Sequence, residues 1–237
     1  DTGALKWHYQ FTPHDEMDWD STQVPVLTEI QWQGSPRKVM LWANRNGFMY
    51  VLDRVTGQFL MGKPFVEVNW ASGFEEKGLP LGVPQSIGDT GISVLPYVAI
   101  NWFPTSYSRE TGLFYIPAWE RQRGASSSYG ALRAFDPHTG NQVWEFRKND
   151  GVFSGGVLTT ASNLLFTGLS GAPYSDLAPA RLVDGQFYAL DARNGGILWE
   201  FPLPGSIRGG AITYAVAGKQ FVAVPAGSTL WAFALRQ

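Results

Sequence analysis

The 237-residue sequence has no cysteine. That excludes disulfides, cysteine-ligated zinc, a thiol nucleophile and covalently attached c-type haem. Charge is scarce, with Asp, Glu, Lys and Arg at 16% of the chain and a net charge of −2. No basic run or stripe occurs, so no nucleic-acid surface is offered. No window of 18 apolar residues exists, so no membrane span is expected. Asp1-Thr2-Gly3-Ala4-Leu5-Lys6-Trp7 has neither the basic start nor the apolar core of a signal peptide, and reads as the middle of a structural unit. No convincing amphipathic helix emerges either.

What the chain does have is aromatic residues and turn formers: Trp 10, Phe 15, Tyr 9, Gly 27 and Pro 15. That balance suits many short strands in a sizeable β domain. An internal repeat organises them. Asp136-Pro137-His138-Thr139-Gly140 through Trp144-Glu145-Phe146 recurs as Asp191-Ala192-Arg193-Asn194-Gly195 through Trp199-Glu200-Phe201. Asp1-Thr2-Gly3 to Trp7 keeps the spacing, and Asp53 to Gly57 keeps the turn with Met61 at the tryptophan position. In each turn Asp caps backbone N–H groups and Gly supplies the positive φ that closes the hairpin. The Trp four residues on can lie between neighbouring sheets, its indole N–H directed to a carbonyl. Spacings of 54, 83 and 55 residues between positions 7, 61, 144 and 199 describe four units, one with an insertion of roughly 30 residues. Such units read as blades of a β-propeller.

The insertion contains Asn69–Phe74 and the Gly/Pro-rich Leu79–Gly91, read as loop. Gly124–Tyr129 and Ala172–Leu182 read as further loops, Tyr107–Ala118 as a hairpin, and Ala223–Leu235 as the last hairpin. Trp7, Trp144 and Trp199 are expected to dock in the core, whereas Trp102 and Trp119 break the repeat phase and are candidates for a functional surface. His8 is expected in a strand and His138 in a turn.

Two polar stretches stand out. Trp42–Asp53 reads as two strands around a tight turn at Asn44–Gly47, with Arg45 the one strong charge at its tip. There a guanidinium offers a rigid fork of donors to a planar, electron-rich partner. His14–Asp20 packs one imidazole and four carboxylates into seven residues. Hard cations favour such oxygens, but without EF-hand glycine spacing the stretch suits a turn that caps its own backbone. No Gly-x-Ser-x-Gly elbow is found, and Gly151–Gly156 and Gly209-Gly210 lack the context of a phosphate cradle.

Leu5–Glu16, Asn44–Phe48, Asn101–Tyr107, Gly151–Gly156, Thr213–Gln220 and Leu230–Leu235 together resemble the C-terminal half of a pyrroloquinoline quinone (PQQ)-dependent alcohol dehydrogenase of the methanol/ethanol dehydrogenase type. The resemblance implies an all-β fold, a quinoprotein-type β-propeller of about four blades, half of an eight-bladed ring, forming a single partial domain over 1–237. It implies oxidation of a small alcohol by hydride transfer to PQQ beside a Ca²⁺ or lanthanide ion. Arg45 falls on the family's Lys/Arg at the quinone oxygens, hence a catalytic and cofactor-binding role. Asn101 and Trp102 fall on the Asn-Trp pair of the cofactor funnel, Trp119 points the same way, and Ser154 and Gly155 match a segment whose backbone approaches the cofactor.

By the same resemblance, the family's metal ligands and catalytic Asp are expected upstream of this chain, leaving no metal-ligating residue in it. Further implications are a periplasmic location, a separate electron acceptor such as cytochrome c, and self-association or pairing with an N-terminal half, since half a ring leaves open sheet edges. A non-enzymatic propeller scaffold is the alternative, and a sugar-binding propeller using Trp102 and Trp119 a third.

Overall fold

A computed structural model of the chain describes residues 2–83, 94–121, 128–149, 151–171 and 184–235. The chain forms two compact units. One comprises Asp1–Trp102, Glu120–Ser126 and Pro137–Asn141; the other comprises Phe103–Trp119, Ser127–Asp136 and Gln142–Gln237. Every described element is a strand. The fold is all-β, of the β-propeller class.

The first unit carries an antiparallel four-stranded meander: β1 (Val26–Trp32), β2 (Ser35–Ala43), β3 (Phe48–Asp53) and β4 (Phe59–Pro64). Alternate residues of β3, Phe48, Tyr50 and Leu52, share a core with Met40, Trp19 and Trp70, as a period of two requires. The stretch expected as loop holds a two-stranded ladder, β5 (Gly73–Phe74) with β6 (Pro80–Leu81). Phe74 explains it: its ring packs edge-on against Phe48 and Tyr50, pinning the first strand to the core. Residues 84–91 of the expected loop lie outside the described residues, as do most of the Gly124–Tyr129 loop and the Ala172–Leu182 loop; Tyr129 itself begins a strand. His8 lies in no ladder, contrary to expectation, whereas His138 is in a turn and stacks on Trp32.

The second unit contains three sheets. β7 (Ser106–Ser108), β8 (Leu113–Glu120), β9 (Tyr129–Phe135) and β10 (Gln142–Lys148) form one. β11 (Val157–Thr159), β12 (Leu164–Leu169), β13 (Gly185–Asp191) and β14 (Ile197–Leu203) form the next. β15 (Ile212–Val216), β16 (Lys219–Ala226) and β17 (Thr229–Phe233) form a three-stranded sheet. Leu113, Tyr115, Leu132, Ala134, Tyr188 and Leu190 fill one inter-sheet core; Phe187, Leu203, Ile207, Val224 and Ala226 fill the next.

The repeated turns lock successive units as the sequence suggests. Trp7 donates its indole N–H to the Arg54 carbonyl at 3.1 Å, and Trp144 to the Ala192 carbonyl at 3.1 Å. In both cases the acceptor follows the Asp of the next turn. The ring then covers that turn's glycine: a methyl on Gly57 would meet Trp7 at 2.7 Å, and one on Gly195 would meet Trp144 at 2.8 Å. Met61 occupies the same place over Gly140, its sulfur 3.1 Å from such a methyl. Trp199 departs from the pattern. It leans on Phe233 and Phe201 and is 38% exposed, against 8% for Trp144.

Candidate functional site

Arg45 sits in the β2–β3 turn, and two buried asparagines build that turn. Asn44 Oδ1 accepts the Asn46 N–H at 3.0 Å, and Asn46 Oδ1 accepts the Phe48 N–H at 3.1 Å. Asn46 Nδ2 donates to the Phe11 carbonyl, the Thr12 hydroxyl and the Tyr50 hydroxyl. Burial pushes the Tyr50 pKa up, so its hydroxyl stays protonated. Gly47 closes the turn at φ 93°, where a methyl would collide with Val68 at 2.6 Å. The two asparagines thus hold the hairpin tip, their oxygens on its own backbone N–H groups and their amide nitrogens on neighbouring segments and Tyr50.

The guanidinium faces two carboxylates. Arg45 Nη1 lies 3.2 Å from Asp20 Oδ1 and Nη2 lies 3.5 Å from Asp18 Oδ2; the side chains are 17% exposed for Arg45, 52% for Asp20 and 85% for Asp18. Arg45 Nε is buried and has no hydrogen-bond partner among the described residues. The site therefore offers one free cationic donor and a carboxylate open to solvent beside it. Asp15 caps its own turn, as expected for this stretch, by accepting the Met17 and Trp19 N–H groups at 2.9 and 2.8 Å. Among the described residues no group of three His, Cys, Asp or Glu side chains converges as a metal cluster would.

The other predicted site residues are placed as follows. Asn101 Oδ1 accepts the Trp102 N–H at 2.9 Å, and Trp102 is 40% exposed; both share the unit of Arg45. Trp119, Ser154 and Gly155 belong to the other unit. Trp119 is buried in β8 rather than surface-lining, because every residue of that strand is covered. Ser154 Oγ donates to the Ile207 carbonyl at 2.6 Å, and that carbonyl also accepts from Ser170 Oγ at 3.1 Å. Gly155 donates its N–H to the Gly168 carbonyl at 3.0 Å, and a methyl there would meet the Gly168 Cα at 2.8 Å.

Comparison with known proteins shows what the chain is similar to. Residues 1–72 match the glucose/ethanol/alcohol dehydrogenase β-propeller domain, and residues 128–237 match the outer membrane protein assembly factor BamB family. A quinohemoprotein alcohol dehydrogenase of Comamonas testosteroni is 36% identical over 96% of this chain and 35% of its own length. The chain is a relative of the quinoprotein alcohol dehydrogenases. The crystal structure of the Comamonas quinoprotein superposes with a TM-score of 0.81 at 35% identity, over 96% of this chain and 37% of that one. A europium-containing methanol dehydrogenase superposes at 0.77, with 30% identity over 91% of this chain and 41% of that one. A lanthanide-dependent methanol dehydrogenase of Methylacidiphilum fumariolicum is 32% identical over 98% of this chain and 41% of its own length. The chain thus spans roughly two-fifths or less of the length of these quinoprotein relatives.

Asp18 and Asp20 are the groups facing Arg45 that sequence reasoning passed over. They were read as members of a self-capping acidic turn, with no proton acceptor expected anywhere in the chain. The available signal was the density of carboxylates at 15–20, since an Asp on each side of the buried Trp19 leaves both carboxylates exposed.

Proposed function

We propose that this chain is the Arg45-bearing part of a PQQ-dependent alcohol dehydrogenase. The buried, unpartnered Nε of Arg45 carries the reading. A buried donor without an acceptor is costly, and an anionic planar quinone supplies one. The residues present fit that group: a guanidinium fork, the exposed Trp102 ring and the Asn101 amide lie in one unit. The bound quinone, with a Ca²⁺ or lanthanide ion beside it, supplies a hydride acceptor with a polarised carbonyl.

The chain's own residues would act around it. Arg45 directs its donors at the negative charge that develops on oxygen. Asp18, open to solvent at 3.5 Å from Arg45, accepts the alcohol's hydroxyl proton as the carbon gives up its hydride. Asp20 stays paired with Arg45 and fixes its orientation. Ser154 and Gly155 hold their own sheets together, so any contact they make with a cofactor is through backbone; Trp119 contributes as a buried wall. The electron acceptor is a separate protein such as a cytochrome c, the location is periplasmic, and the chain works either paired with an N-terminal half or self-associated.

Titration of the chain with PQQ plus Ca²⁺ or La³⁺, followed by absorbance, tests this. Saturable binding that drops about 100-fold in Arg45→Ala supports it, whereas Arg45→Lys keeps a point charge and loses about tenfold. Absence of binding at any quinone concentration favours a non-enzymatic propeller scaffold.

A further inference from the structure

We infer that Asp15 is a positioning residue for Asp18, an inference that rests on the reading of Asp18 as proton acceptor. Asp18 adopts φ 58°, a left-handed conformation that is uncommon for L-residues and that Asp tolerates better than most, so its persistence reflects local support. Two constraints hold Asp18 there. The Asp15 carboxylate straddles it, one oxygen on the Met17 N–H and the other on the Trp19 N–H, at 2.9 and 2.8 Å. These charge-assisted bonds hold the peptide that follows Asp18 and the peptide that precedes Met17, so the segment carrying Asp18 is clamped at both ends.

The second constraint is Trp19, fully buried, which donates to the Pro96 carbonyl at 3.2 Å and packs on Trp70 at 5.3 Å. Trp70 in turn donates to the Asn46 carbonyl at 2.8 Å. The residue after Asp18 and the residue after Arg45 are thus tied to one pair of indoles. Asp15, itself exposed, completes the frame from the solvent side, across from the core contacts of Met17 and Trp19. Its carboxylate touches neither Arg45 nor the face that Asp18 presents, so it acts only through the aim of Asp18. A shift of the acceptor by an ångström is enough to cost a large factor in rate.

The test is a double-mutant cycle in the enzyme that contains this chain, loaded with PQQ and Ca²⁺, together with amide exchange on the chain without cofactor. Asp15→Ala lowers kcat about 10- to 100-fold, with KM and quinone affinity held within about threefold. Asp15→Asn keeps one acceptor oxygen, falls between the two and guards against loss of folding. In an Asp18→Asn background Asp15→Ala has no further effect on kcat. Exchange quickens at the Met17 and Trp19 amides and stays unchanged at Asn46 and Phe48. The inference is overturned by an unchanged kcat in Asp15→Ala, by the same fold-loss in the Asp18→Asn background, or by quickened exchange that reaches Asn46 and Phe48. An Asp18→Asn enzyme that keeps its kcat overturns the reading of Asp18 itself.

Discussion

Trp144 donates its indole N–H to the carbonyl of Ala192 and lays its ring over Gly195, three residues beyond that carbonyl. Gly195→Ala would place a methyl 2.8 Å from that ring at φ 75°, and is expected to cost about 2–4 kcal/mol, combining left-handed strain with displacement of the indole. Gly112, at φ 70° with nothing within 4 Å, is the control: Gly112→Ala should cost only about 1–2 kcal/mol. Urea unfolding of the two variants measures the difference, and equal losses would show that the indole contact is not restrictive.

The turn aspartates give the chain an acid limb. Burial alone would raise the Asp53 pKa, but Arg37 and the Thr56 and Val55 N–H groups outweigh it and hold the carboxyl at about 2. The Arg193 guanidinium and backbone N–H hold Asp191 at about 2 against opposing burial. Both folded values lie below the unfolded one near 3.9. Their stabilisation is therefore complete above about pH 4 and lost as the pH falls toward 2. Asp53→Asn should flatten part of that slope in urea midpoints measured from pH 5 to 2; an unaltered slope would place the acid sensitivity elsewhere.

Asn46 is buried, and its side chain bonds Phe48, Phe11, Thr12 and Tyr50. Asn46→Ala strands those partners, so a loss of about 2–4 kcal/mol is expected. Quinone binding should weaken with it, because Arg45 loses the neighbour that fixes its turn. Calorimetry and the PQQ titration read the two effects, and normal affinity in a destabilised variant would detach Arg45 from Asn46.

Ile197 and Leu198 on β14, Ile212 and Val216 on β15 and Leu230 on β17 are all exposed. Exposed apolar side chains on sheets in which β17 pairs on one side only, among the described residues, invite association. The isolated chain should self-associate at micromolar concentration, and Leu198→Lys with Leu230→Lys should shift it toward monomer in light scattering. A monodisperse, folded monomer of the unaltered chain would contradict this.

Much of the fold was legible because its signals are local. The Asp-x-x-Thr/Asn-Gly turn, the tryptophan four residues on and the hairpin around Asn44–Gly47 each depend on neighbours within a few positions. The short β5–β6 ladder was not legible, since it forms only where Phe74 meets Phe48 and Tyr50. Nor was the exposure of Trp199, which shares with Trp144 the Gly-to-Trp spacing and the Trp-Glu-Phe that follows, because exposure depends on what packs against the ring. Around Arg45 the sequence pointed to the hairpin and its single cation. It could not show the carboxylates facing that cation, because Asp18 and Asp20 lie 27 and 25 positions earlier in the chain.

By itself, then, the sequence determined the strand-and-turn grammar, the family resemblance and Arg45 as the charge to watch. The tertiary structure alone decided what Arg45 faces. With Trp19 buried against Trp70, Asp18 and Asp20 face the guanidinium, and only folding brings their carboxylates to 3.5 and 3.2 Å from it. Through-space electrostatics depends on distance in three dimensions, which spacing along the chain does not encode.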